Sequence, residues 1–170
     1  MKIGRSFAAA AVAATAVDAS SAVPTPTGVT EEDVAWLATA HRSNLAAIAA
    51  GRAAQDQAAS QELRELGATS LEEHARLDAD LTAAATALGV ALPTTPSPDA
   101  QASLDHVMSQ TGPTFDTLWV ASQTETQQHT VETTRAEVDV GSNETVVQLA
   151  TAALPVIEHH LGRLVDARRA

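Results

Sequence analysis

A chain of 170 residues is long enough for one domain with its own core, and a 2 % aromatic content without tyrosine points to alanine-rich helices rather than strands. The formal charge of −11 turns away nucleic acid and anionic lipid as partners. With no cysteine, disulfides, thiolate metal sites, cysteine catalysis and a lipoprotein anchor are excluded.

The first 22 residues read MKIGRSFAAAAVAATAVDASSA. Lys2 and Arg5 precede an apolar, alanine-dominated run, and Ser20, Ser21 and Ala22 supply small residues for cleavage. That order is the form of a signal peptide over residues 1–22, so the protein is expected to be secreted or to sit in the cell envelope. No later stretch is apolar for long enough to span a bilayer. Pro24, Pro26 and Gly28 mark residues 23–29 as a linker, and residues 30–168 are expected to form the domain.

Thr30 followed by Glu31, Glu32 and Asp33 predicts a helix start, with a capping hydroxyl and acids at the positive end of the dipole. The first helix is expected over residues 31–54, with Val34, Leu37, His41, Leu45 and Ile48 inward. Gln55, Asp56 and Gln57 suit a turn. The second helix is expected over 58–88, ending at Gly89, with Leu63, Leu66, Ser70, His74, Leu77 and Leu81 inward. Three prolines in VALPTTPSPDA forbid a helix there, so a long crossover follows, carrying a short helix over about 99–110. A fourth helix is expected over 114–140, its inner stripe Phe115, Leu118, Trp119, Ser122, Thr126, His129, Thr133 and Ala136. Gly141, Ser142 and Asn143 make the turn into a fifth helix over 144–167, with Val146, Leu149, Ala153, Ile157, His160 and Leu164 inward and a kink at Pro155. Four long helices with one long crossover match an all-α, ferritin-like four-helix bundle.

Each long helix thus carries one inward histidine: His41, His74, His129 and His160. Counted from the end of the bundle where the first hairpin turns, His41, His74 and His129 lie about 21, 27 and 24 Å deep, and His160 and Glu125 about 14 and 18 Å. Glu125 stands four residues before His129 and shares its helix face. His159 points away from His160 and is expected to be exposed. Imidazoles gathered this way suit Zn or Cu, so a divalent metal ion is the ligand to test for, with His41, His74, His129, His160 and Glu125 as the candidate ligands. The plainer alternative is that each histidine is buried and hydrogen-bonded, with Ser70, Ser122, Thr126 and Thr133 as partners. On either account His74 is expected to be buried and paired. The Glu-x-x-His pairs of di-iron bundles are missing, which disfavours ferroxidase chemistry. Phosphate loops and nucleophile elbows are also missing.

The stretches AHRSNLAAIAAGRAA, EEHARLDADL with LGVALP downstream, FDTLW and LPVIEHHLGRL, in that order and spacing, resemble the bacterial family named domain of unknown function 4142. The resemblance runs from about Thr30 to Leu164. It implies a ferritin-like bundle that is usually exported, with His74, His129 and His160 at the family's recurrent histidine positions. The family often has Glu where this chain has Ala47, and the interval from Phe115 to His129 is longer than usual. No activity comes with the resemblance. The expected role is a non-catalytic binding or envelope-stress protein holding a transition-metal ion through inward histidines. The alternatives are a metal-dependent oxidase or hydrolase with Glu125 as base, and a purely structural or interaction domain.

Overall fold

The computed structural model describes residues 28–169, so the expected signal peptide and most of the expected linker lie outside the described residues. Among the described residues there are five helices and no strand: α1 (Glu31–Gln57), α2 (Gln61–Leu88), α3 (Pro98–Met108), α4 (Gly112–Val140) and α5 (Glu144–Ala167). No helix among them is long and apolar enough to cross a membrane.

Local chemistry sets the ends. Thr30 Oγ1 accepts from the Asp33 amide while the Asp33 carboxylate accepts from the Thr30 amide, a reciprocal cap. Ser60, Ser97 and Asn143 cap α2, α3 and α5 with their side chains. Gly89 closes α2 at φ 70°, a left-handed geometry open to glycine. The expected turn at 55–57 is instead the last turn of α1, because the cap that starts α2 is Ser60. Helix α5 continues past Pro155, which is exposed.

α1 and α2 form one hairpin and α4 and α5 another, with α1 against α4 and α2 against α5. Side-chain staples show which ends meet. The Asp116 carboxylate, in the first turn of α4, accepts from the amides of Ala59 and Ser60 at 2.9 Å each, at the α1–α2 turn. At the opposite end, Asp33 of α1 accepts from Ser142 and Asn143 in the α4–α5 turn. α4 therefore runs in the same direction as α2. The connection between them traverses the length of the bundle and lays α3 on α1 and α4.

Two apolar clusters fill the bundle. One gathers Leu63, Leu66, Phe115, Trp119 and Leu164 beside the α1–α2 turn. The other gathers Trp36, Leu37, Leu81, Val146 and Ala150 at the far end. Between them lie buried polar residues, including Asn44, Ser70, His74, Gln127, Thr130 and His160. The inner faces of α2 and α5 follow the expected periodicity, although Leu77, Leu149 and Ala153 are only half-buried. The inner face of α4 does not. After Trp119 it runs through Val120, Gln123, Thr124, Gln127, Thr130, Val131, Thr134 and Glu137, about one residue ahead of the expected stripe. One residue is about 100° of helix, enough to carry His129 and Glu125 from the core to the surface.

α1 and α2 touch backbone to backbone where Gly51 faces Gly67. A Cβ on Gly67 would lie 2.6 Å from the Ala54 Cβ and 2.9 Å from the Gly51 carbonyl oxygen. Gly67→Ala is therefore expected to destabilise by about 1–3 kcal/mol through overpacking, exceeding the gain of about 1 kcal/mol in helix propensity. Urea unfolding measures it, and a stabilised Gly67→Ala variant would show that the helices separate freely.

Candidate functional site

The polar belt centres on His74, which is 1 % exposed. Its Nδ1–H donates to Asn44 Oδ1 at 2.9 Å. That leaves a lone pair on Nε2, which accepts from the Gln127 amide nitrogen at 2.9 Å. His160, also 1 % exposed, donates through Nε2 to the Glu73 carboxylate. Its Nδ1 lone pair then faces His74 Nε2 at 3.3 Å. Helices α1, α2, α4 and α5 each contribute to this cluster. The two imidazoles converge because side chains lean toward the N-terminus of their own helix, and α2 and α5 run in opposite directions.

Burial keeps both rings neutral. Loss of hydration, helped by the neighbouring His160, pushes His74 from its ordinary 6.5 down to about 3. Burial also lowers His160, against an upward pull from Glu73. With their outer nitrogens tied as donors, the two inner nitrogens meet without a proton between them. A void of about 10 Å³ adjoins His160, bordered also by Ser70, Gln123 and Gln127. Gln127 Oε1 is buried and has no hydrogen-bond partner. The arrangement thus leaves the Nδ1 lone pair of His160 and one amide oxygen unsatisfied within the belt, while the Nε2 lone pair of His74 is engaged by Gln127.

The other sequence-derived candidates lie elsewhere. His41 is buried at the edge of the belt and pairs with Asp78 at 2.7 Å, not with another histidine. His129 and Glu125 are exposed and line an open groove of about 480 Å³ between α1, α3 and α4, with Arg42 and Asp99. Their expected inward placement is corrected by the rotation of α4. His160, expected a turn or more away, is the histidine that reaches His74. His159 is exposed, as its phase requires. Among the described residues, no group of three or more His, Cys, Asp or Glu side chains is gathered closely enough to hold a metal ion.

Three residues of the cluster escape the sequence reading: Asn44, Glu73 and Gln127. Gln127 was within reach, since stepping by four from Trp119 passes through Gln123 and Gln127 and then meets Val131. Asn44 and Glu73 carry no comparable mark.

A family model described as a domain of unknown function, DUF4142, matches residues 18–166. The chain belongs to the DUF4142 family. No curated protein and no solved structure matches it. Of the histidine positions that the DUF4142 resemblance brings forward, the fold joins His74 and His160 and leaves His129 on the surface. Gln127 takes the place beside His74. Ala47 is buried and brings no carboxylate to the belt.

Proposed function

We propose that this DUF4142 domain is an exported, non-catalytic binding protein that holds one transition-metal ion, Zn or Cu, between His74 and His160. The single long crossover supports the ferritin-like part of this reading. The observation that carries the metal is the 3.3 Å separation of the two unprotonated inner nitrogens. Tetrahedral ligands at about 2.0–2.1 Å from Zn are about 3.3–3.4 Å apart, so the spacing of the two nitrogens matches that of a bridged pair once Gln127 releases the lone pair of His74. Their outer nitrogens are tied to a carboxylate and an amide oxygen, the kind of support that fixes the tautomer of metal-binding imidazoles. Turning over the Gln127 amide would replace its N–H by Oε1 and add a third donor.

Glu125, the base that hydrolase or oxidase chemistry would use, is on the outer groove and does not border the void beside His160. That favours holding over catalysis. Tag-free protein exposed to Zn²⁺ or Cu²⁺ is expected to retain one equivalent, by elemental analysis. His74→Ala and His160→Ala are expected to lose it, and His129→Ala to keep it. Binding should weaken as pH falls, because protons compete for the same nitrogens. Metal-free protein recovered under metal-replete conditions would overturn the reading and leave the pair a hydrogen-bonded part of the core.

A further inference from the structure

We propose that the cleft between α2 and α5 is a binding site for a small neutral molecule with a hydroxyl or carbonyl oxygen at one end and an alkyl body. The inference is independent of the metal reading. α2 and α5 pack more loosely than the other neighbouring long helices. A cavity of about 40 Å³ lies between them, in the half of the bundle that holds Trp36 and Leu81. Its rim carries the exposed residues Asp80 of α2 and Ala152 of α5, with Leu77, Leu149 and Ala153 half-buried beside them. Two alanines on α5 leave room that longer side chains would fill.

The inner end of the cavity is built differently. Trp36 of α1 and Thr134 of α4 both border it, and they are 7 % and 1 % exposed. Neither Trp36 Nε1–H nor Thr134 Oγ1 has a hydrogen-bond partner among the described residues. Buried polar atoms are nearly always paired, because an unmet one loses its water and gains nothing in return. Four buried side-chain atoms are left bare among the described residues, and two of them belong to residues of this one cavity. Trp119 makes the contrast, since its indole donates to the Ala50 carbonyl at 2.9 Å.

These groups select the ligand. The indole N–H only donates, so it needs an acceptor, and the threonine hydroxyl pairs with the same kind of atom. No cation lines the cavity, Asp80 stands at its rim, and the chain carries a charge of −11, all of which turn an anionic acceptor away. A cation has no lone pair to give the indole. A neutral oxygen meets these conditions. Leu77, Leu81, Leu149 and Ile157 then take the alkyl body. One water needs about 10–15 Å³ of such space, so the cavity holds more than its polar end requires.

Two tryptophans give two indole N–H resonances in a ¹⁵N–¹H spectrum, and Trp36→Phe identifies the one that belongs to the cavity. Titration of the labelled protein with 1-hexanol is expected to move the Trp36 resonance downfield and to saturation, with that of Trp119 unmoved. Hexanoate and hexylammonium are expected to bind at least tenfold more weakly. Thr134→Val keeps the shape, removes the hydroxyl, and is expected to raise Kd for 1-hexanol about fivefold. Ala153→Leu, which fills the cleft from α5, is expected to abolish the shift, and serves should Thr134→Val fold poorly. A Trp36 resonance that stays in place up to the solubility of 1-hexanol would overturn the site and leave ordered water as the partner of the two bare atoms. Equal affinity for the charged compounds, or a shift that survives Ala153→Leu, would overturn it as well.

Discussion

Asp33→Ala is expected to lower stability by about 3 kcal/mol, because three backbone N–H groups lose their acceptor at about 1 kcal/mol each. Asp33 is fully buried. Its Oδ2 accepts from the amide and hydroxyl of Thr30, both at 2.8 Å, and its Oδ1 from Ser142 at 3.0 Å and Asn143 at 3.2 Å. One carboxylate thus caps α1 and fastens it to a turn more than 100 residues away. Burial alone would raise this carboxyl, but the hydrogen bonds from Thr30, Ser142 and Asn143 prevail and bring it from 3.8 to about 2. A lowered carboxyl stabilises the fold above its unfolded value, and that contribution is lost as pH falls from about 4 through about 2. Urea titrations at pH 7 and pH 3 test both statements. Wild-type stability at pH 7 in Asp33→Ala would show that water satisfies the three amides equally well.

Glu137→Gln is expected to stabilise the protein at pH 8 by about 3 kcal/mol and to change little at pH 4. Glu137 is buried beside Asp33, and its Oε1 lacks a partner. Burial first, then hydrogen bonding to Asp33 and the charges of Asp33 and Glu32, raises its carboxyl from 4.5 to about 7. A raised acid favours the fold while it is protonated in both states. That advantage is lost as pH climbs from 4.5 through about 7, where the unfolded chain ionises freely and the folded one resists. Glutamine keeps a donor for Asp33 and never ionises. The two buried histidines make both proteins gain stability as pH rises toward 6.5, so the Glu137 contribution is read as a difference: the melting temperature of Glu137→Gln should pull ahead of the parent's as pH climbs from 4.5 through about 7. Parallel profiles for the two proteins would show that Glu137 does not carry this difference.

How far the sequence foretells the fold depends on what each helix buries. α2 and α5 bury leucine, isoleucine and valine at Leu63, Leu66, Leu81, Val146, Ile157 and Leu164, and an apolar repeat reports its own phase. Caps at Thr30, Ser60 and Asn143 and the glycine at Gly89 place the helix ends within a few residues. α4 defeats the same reading because most of its inner face beyond Val120 is Gln, Thr and Glu. Polar side chains bury there by finding partners across the bundle, as Gln127 does with His74, and partnership has no period along one strand of sequence. A stripe stepped from Phe115, Leu118 and Trp119 reaches His129, about 100° from the face that α4 buries beyond Val120. The burial of His74 is legible because leucines flank it on both sides of its own face. Its partner His160 was visible as an inward residue, but the meeting of the two depends on the relative heights of α2 and α5, which helix arithmetic leaves loose by several ångströms.

Trp119 borders the small void beside His160, and its indole is bonded to Ala50 across the α1–α4 contact. The chain has two tryptophans and no tyrosine, and the other, Trp36, belongs to the far apolar cluster. The protein therefore carries a built-in optical probe of its own interior. A Trp36→Phe variant would emit from a single indole set beside the histidine pair. Its fluorescence would register a paramagnetic ion by quenching, and a loosening of the neighbouring wall by a red shift, without any attached dye.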